Sequence, residues 1–138
     1  MTVQSNYEMV REFHKGAKLT LDQWPPAYAE RELRSNLIHE EQEELSDELF
    51  PIADKIPTDR GFLEIEGDPD RQKVAKEIAD LLYVAYGAAA SFGIPIDKVF
   101  KQVHESNMSE LEGAQWREDG KLLKGPNYKP PNLEWISK

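Results

Sequence analysis

Two stretches of this chain place acidic residues on the side of a helix that the surrounding pattern makes apolar. An α-helix turns by about 100° per residue, so the acids in LIHEEQEELSDEL share an arc with Leu37, and those in KEIADLLYVAYGAAA lie on the side of Val74 and Leu81. The acids are Glu40, Glu41, Glu44, Glu77 and Asp80. Because a buried carboxylate is costly unless a cation or a proton compensates its charge, the pattern predicts two helices whose acidic patches face each other around a hard cation.

Length and charge exclude several classes of protein. A chain of 138 residues predicts one domain spanning 1–138. Its 17 Lys and Arg against 26 Asp and Glu give a net charge of −9, which argues against binding to nucleic acid or to an anionic membrane. The absence of cysteine excludes disulfides and thiolate metal sites, and together with the lack of a signal-peptide pattern it favours a cytoplasmic protein.

Caps and helix breakers predict four helices. Ser5 and Glu8 form a capping box, Pro26 suits a first helical turn, and Asp68 is the expected N-cap of a third helix. The breakers in 51–67 exclude a long helix there. The helices are predicted at residues 6–17, 26–50, 69–92 and 96–111.

The last 27 residues, 112–138, differ in character from the rest. Gly and Pro recur there, and the segment carries four lysines. Its aromatic residues Trp116, Tyr128 and Trp135 favour packing against the helices over a free tail. The predicted fold is therefore all-α, a four-helix bundle with an ordered C-terminal tail.

Three kinds of chemistry compete for a cluster of helical acids. The first is divalent metal and phosphate chemistry, for which carboxylates suffice. The second is a di-iron or di-manganese bundle, which needs a Glu three residues before a His; here those positions hold Arg11, Asn36 and Lys101, so the motif is absent. The third is a solvated acidic face, which is disfavoured because the acids share their arcs with leucine and valine.

Several motifs resemble a known family. EE..E at 40, 41 and 44 with E..D at 77 and 80 resembles the paired signature of the all-α nucleoside triphosphate pyrophosphohydrolases, the MazG-like superfamily. HESNMSELEG at 104–113 and EDGKLLKGPNYKPPNL at 118–133 resemble its phosphoribosyl-ATP pyrophosphohydrolase-like branch of bacteria and phages. The resemblance implies hydrolysis of a (d)NTP to the (d)NMP and pyrophosphate with Mg²⁺ or Mn²⁺, two or more ions per site, and a homodimer or homotetramer of helical hairpins.

The resemblance also implies roles for the five acids. Glu41, Glu44, Glu77 and Asp80 match the metal ligands. Glu40 matches the carboxylate that orients or deprotonates the attacking water, with a further metal ligand as the alternative. The division is chemically reasonable, because a base must keep a free oxygen.

Four residues are candidates for binding the substrate. Asn107 is predicted to face inward, where it contacts sugar or base or bonds to core backbone. Lys121 and Lys124 lie in the tail that resembles an active-site cover, 112–138, and are candidates for the triphosphate. Tyr128 either stacks on a base or packs under the tail.

The sequence departs from the family pattern at two places. The gap between the acidic motifs is lengthened by an insertion at 51–67, so the substrate range could differ. Glu110 follows SNMS where relatives commonly have lysine, so any phosphate contact of that lysine must come from another cation.

The predicted function is a metal-dependent (d)NTP diphosphatase of a bacterial or phage-infected cell, acting on a purine deoxynucleotide such as dGTP. One alternative is phosphoribosyl-ATP pyrophosphohydrolysis on the same fold. Another is a non-catalytic helical adaptor that binds a basic partner through its acidic face.

Overall fold

The computed structural model describes residues 3–138, which form four α-helices and two short β-hairpins. The helices are α1 (Asn6–Ala17), α2 (Tyr28–Leu49), α3 (Arg71–Phe92) and α4 (Ile96–Ser109), and the strands are β1 (Ile52–Thr58), β2 (Gly61–Glu66), β3 (Gln115–Trp116) and β4 (Leu122–Leu123). The chain divides into two compact units, the first ending at Gly93 and the second running from Ile94 to Lys138. The prediction of four helices is confirmed, and that of a single domain stays a prediction.

Local hydrogen bonds explain where α1 begins and ends. The Ser5 side chain accepts from the Glu8 N–H at 3.1 Å, and the Glu8 carboxylate accepts from the Ser5 N–H at 3.0 Å, which completes the capping box. Lys18 then takes a left-handed conformation, and its N–H bonds back to the last turn. The helix occupies the predicted residues.

Two helix starts differ from the prediction. Asp70, and not Asp68, is the N-cap of α3, because its carboxylate accepts from the N–H groups of Gln72 and Lys73 at 2.9 and 3.3 Å. The helix α2 begins at Tyr28, after both prolines, so Pro26 precedes the helix.

The loop between α1 and α2 is fixed to the end of α3. The N–H groups of Asp22 and Gln23 donate to the carbonyls of Ala90 and Ser91 at 2.9 and 2.8 Å. Gly93 ends α3 with a φ of 68°, and a Cβ there would lie 3.1 Å from the Asp22 backbone. Both this conformation and this close approach favour glycine.

The first unit is built on α3, which packs against both α1 and α2. Its fully buried apolar residues are few and small, namely Val10, Ala89 and Ala90. The α1 residue His14 is also buried, and its Nδ1–H donates to the Thr20 carbonyl at 3.0 Å. Polar groups therefore make up much of this core.

A buried ion pair within α2 is joined to α3 by a serine hydroxyl. Arg34 Nε donates to Glu30 Oε1 at 2.8 Å, and Ser91 Oγ donates to the same oxygen at 2.7 Å. A Cβ on Gly87 would lie 3.1 Å from Arg34 Nη1 and 3.2 Å from His14 Nε2. Glycine at 87 thus leaves room for two large polar side chains against the backbone of α3.

The insertion between α2 and α3 forms an antiparallel hairpin of β1 and β2. Ile56 pairs with Leu63, and Ile65 lies on the same face, so apolar residues alternate with polar ones as in a strand. Gly61, with a φ of 130°, follows the two-residue turn. The all-α prediction is therefore corrected to a mostly α fold with two small β-hairpins, because helix breakers exclude a helix in this segment but do not exclude strands.

The second unit consists of α4 and the tail, which contains the β3–β4 hairpin. Ser106 Oγ donates to the Lys129 carbonyl at 2.6 Å, and Trp135 Nε1 donates to Gln102 Oε1 at 2.8 Å. The tail is thus bonded to α4, whereas its role as an active-site cover stays a prediction. The helix ends at Ser109, two residues before the predicted end.

The second half of α3 is the most apolar helical segment, and Ala89, Ala90 and Ser91 are buried within it. None of the described helices is by itself long and apolar enough to cross a membrane.

Candidate active site

One line of side chains on α2 is turned toward the protein interior. Its members are spaced by three or four residues, which is the helical period, and each is buried or half-buried. They are Arg34, Ile38, Glu41, Leu45 and Glu48. Glu41 therefore lies in the middle of the inner face of α2.

Glu41 meets two acids of α3. Glu41, Glu77 and Asp80 each offer a carboxylate oxygen, and these oxygens all lie within 4.8 Å of one another. The Glu77 side chain is only 13 % exposed and that of Asp80 is 34 % exposed. We call these three residues the acidic triad. It brings together the two sequence motifs, which are separated by the inserted hairpin.

The structure places the other two acids differently. Glu40 and Glu44 are exposed, so the prediction that all five acids face inward is incorrect for these two. The physical reason is rotation, since Glu40 lies about 100° and Glu44 about 60° around the helix from Glu41. Glu44 still interacts with the Glu41 carboxylate. The catalytic role of Glu40 stays a prediction.

The triad perturbs the titration of its α2 member. Burial raises the pKa of the Glu41 carboxyl, and the charges of Glu44, Asp80 and Glu77 raise it further. Both causes disfavour the ionised form. Glu41 therefore needs a cation or a proton to offset its negative charge.

The triad has the chemistry of a divalent metal site. Glu41 Oε2 and Glu77 Oε2 are both buried and have no hydrogen-bond partner among residues 3–138. Carboxylate oxygens are the ligands that Mg²⁺ and Mn²⁺ prefer. The residues present therefore fit a divalent ion that would accept both oxygens as ligands.

A lysine lies next to the triad. Lys76 Nζ is 2.7 Å from Asp80 Oδ2 and 3.7 Å from Glu77 Oε1. Lys76 is not among the residues predicted from the sequence, although its spacing of four from Asp80 is the signal for an ion pair on a helix. Glu48, one turn beyond Glu44, is half-buried on the inner line of α2.

The candidate substrate residues belong to the second unit. Lys121 is exposed, Lys124 Nζ lies 4.4 Å from the centre of the half-buried Tyr128 ring, and Asn107 is exposed. The prediction that Asn107 faces inward is therefore incorrect. The reason is that Ser106, its neighbour on α4, takes the buried position and bonds to the tail. The roles of the four residues in binding stay predictions.

Comparison with known proteins assigns the family. No curated protein matches the chain. The family model for phosphoribosyl-ATP pyrophosphohydrolase matches residues 10–107, from α1 into α4. This family implies a nucleotide pyrophosphohydrolase activity, and it is typically dependent on a divalent metal. Because the match covers more than half of the sequence, the chain belongs to the phosphoribosyl-ATP pyrophosphohydrolase family, within the MazG-like superfamily.

Proposed function

We propose that the protein is a metal-dependent nucleoside triphosphate diphosphatase, which hydrolyses a (d)NTP to the (d)NMP and pyrophosphate in the cytoplasm of a bacterium or a phage-infected host. The observation that carries the proposal is the acidic triad, whose members each offer a carboxylate oxygen within 4.8 Å of the others. Glu41 Oε2 and Glu77 Oε2 are in addition buried without a hydrogen-bond partner in the described part of the chain. The family match supports it.

In this proposal Glu41, Glu77 and Asp80 hold the ion, and Glu44 adds a fourth carboxylate at the edge of the site. Mg²⁺ is the proposed ion, and Mn²⁺ can substitute for it. Four carboxylates supply enough oxygen ligands for two or more ions. A bound ion would neutralise the charge that accumulates on the phosphoryl oxygens during hydrolysis.

The remaining residues act on water and on the nucleotide. Glu40 is next to the triad but exposed, so its carboxylate is free to orient a water molecule and to accept its proton as the oxygen bonds to the α-phosphorus. The bond to the bridging oxygen then breaks and pyrophosphate leaves. Lys121 and Lys124 offset the charge of the phosphates, while Asn107 and Tyr128 contact the sugar and the base.

The proposed substrate is a purine deoxynucleotide such as dGTP. The second candidate is phosphoribosyl-ATP, and the specific observation in its favour is the description of the matching family. Both substrates carry a triphosphate that is cleaved between the α- and β-phosphorus, so the same carboxylates serve either reaction.

A substrate panel tests the proposal. We expect the purified protein with Mg²⁺ to release pyrophosphate from at least one (d)NTP, with dGTP the fastest, in an assay that also includes phosphoribosyl-ATP. Hydrolysis of phosphoribosyl-ATP alone would establish the second candidate. No pyrophosphate from any compound would contradict the enzymatic proposal and favour a helical adaptor.

We also propose that the chain forms a homodimer or homotetramer. The first unit exposes large apolar side chains on α1 and α3, with exposed fractions of 46 % for Met9, 53 % for Phe13 and 49 % for Leu82. Exposed apolar surface of this kind is typical of subunit contacts. We expect light scattering after size-exclusion chromatography to give two or four times the mass of 15.8 kDa. A mass of one chain at micromolar concentration would contradict this.

A further inference from the structure

Lys76 is the described cation that contacts the acidic triad. Its ammonium group lies 2.7 Å from Asp80 Oδ2 and 3.7 Å from Glu77 Oε1, so it contacts both α3 members of the triad. Its side chain is 70 % exposed. The contact is therefore made by an exposed group at the edge of the site, whereas the triad members are half-buried.

This ion pair has little value for helix stability. A lysine that precedes an acid by four residues has the less favourable orientation relative to the helix dipole. Exposed ion pairs in general add little to the free energy of unfolding. The contact matters instead for the charge of the site, because Lys76 offsets part of the negative charge of Glu77 and Asp80.

We propose that Lys76 is a displaceable counter-charge of the active site. It pairs with Asp80 and Glu77 in the metal-free protein, competes with the divalent ion for these carboxylates, and contacts the phosphates of the nucleotide once the carboxylates bind the ion. The first part concerns metal binding alone, while the phosphate contact rests on the proposed function. Lysine suits both tasks, since its ammonium group is a compact charge with three donors on a flexible stem.

The variant Lys76→Gln tests the competition directly. Removing one positive charge a few ångströms from a divalent ion near the surface is expected to strengthen Mn²⁺ binding by roughly three- to tenfold. Isothermal titration calorimetry with Mn²⁺ alone measures this without any turnover. We also expect the KM for the nucleotide to rise by about threefold or more, with little change in kcat, because a ground-state contact is lost.

Lys73→Gln is the matched control. It removes the same charge from the same helix one turn earlier, and Lys73 forms no ion pair with any acid among residues 3–138. We expect its Mn²⁺ affinity and KM to stay near those of the wild type. Lys76→Arg, which keeps the charge, should restore most of the wild-type KM.

The outcomes separate this proposal from the proposed function. Unchanged or weaker Mn²⁺ binding by Lys76→Gln, or an equal gain in Lys73→Gln, would overturn the counter-charge role. Tighter Mn²⁺ binding confined to Lys76→Gln supports the counter-charge role, whether or not the wild type hydrolyses a nucleotide. Absence of hydrolysis by the wild type would overturn the phosphate contact together with the proposed function. Circular dichroism of each variant checks that α3 is intact.

Discussion

Replacing Glu41 with glutamine is expected to abolish nucleotide hydrolysis and, at the same time, to stabilise the metal-free protein. Glu41 is the α2 member of the acidic triad, and its Oε2 is buried with no hydrogen-bond partner among the residues that the structure describes. A neutral amide is a poor ligand for a divalent ion. Since changes even outside the ligand set commonly cost 10- to 100-fold in metal affinity or activity, we expect kcat/KM to fall by at least about 100-fold.

The gain in stability follows from the raised pKa of Glu41. Burial and the neighbouring carboxylates raise this pKa above its ordinary value of 4.5 in the folded protein. The ionised carboxyl therefore reduces the free energy of unfolding at neutral pH, and this loss fades as the pH falls through the folded-state pKa toward 4.5. The advantage of Glu41→Gln over the wild type should be largest above the folded-state pKa of Glu41, shrink as the pH falls through it, and vanish below about pH 4.5.

Thermal melts and a matched control check both effects. Without metal, Glu41→Gln should melt above the wild type, and Mn²⁺ should raise the Tm of the wild type but not that of the variant. Glu43→Gln makes the same change on the exposed side of α2, where Glu43 pairs with His39, and it should keep activity and metal response. Asp80→Asn should also lose turnover. Full activity in either triad variant would show that the ligand assignment is incorrect.

The parts of the fold that depend on neighbouring residues could be predicted from the sequence. The capping box at Ser5 and the glycine at position 93 identified helix ends, because each acts within one turn. The period of 3.6 likewise placed Glu77 and Asp80 on the inner side of α3. On α2 the same period could not separate the three glutamates. Glu44 and Glu40 lie only about 60° and 100° around the helix from Glu41, yet Glu41 is half-buried and the other two are exposed.

The features that the sequence did not predict are contacts between residues far apart in the chain and the β1–β2 hairpin. The hydroxyl of Ser91 reaches Glu30 across 61 positions in the sequence, and nothing local indicates that this pair is buried. Glycine is favoured at position 87 because a Cβ there would crowd Arg34, which lies on another helix. The β1–β2 hairpin is different, since part of its strand pattern, Leu63 to Glu66, is local in the sequence, although helix breakers surround it.

A large loss of stability is expected when the buried ion pair between Arg34 and Glu30 is broken. Replacing Arg34 with methionine keeps most of the apolar stem but leaves the Glu30 carboxylate with Ser91 as its remaining donor. The side chains of Arg34 and Glu30 are only 6 % and 13 % exposed. Removing one partner of a buried pair leaves an uncompensated charge, so the free energy of unfolding should fall by about 3 kcal/mol. Urea unfolding at fixed protein concentration measures this.

The change in stability of Arg34→Met at neutral pH should be opposite in sign to that of Glu41→Gln. Burial acts to raise the pKa of Glu30, but the hydrogen bonds from Ser91 and Arg34 outweigh it and hold the pKa below 4.5. The paired carboxylate therefore stabilises the wild type above pH 4.5, and this contribution is lost as the pH falls through the folded-state pKa. The deficit of Arg34→Met should accordingly be largest at neutral pH and shrink in acid.

A double variant distinguishes an unpaired charge from lost packing. In Glu30→Gln/Arg34→Met the amide oxygen still accepts from Ser91 and no buried charge remains, so most of the lost stability should return. Arg31→Met is the surface control, since Arg31 lies over the exposed Tyr28 ring, and its change should stay within about 0.5 kcal/mol. A double variant as unstable as Arg34→Met would mean that the arginine acts by filling space beside Gly87, and that its charge contributes little.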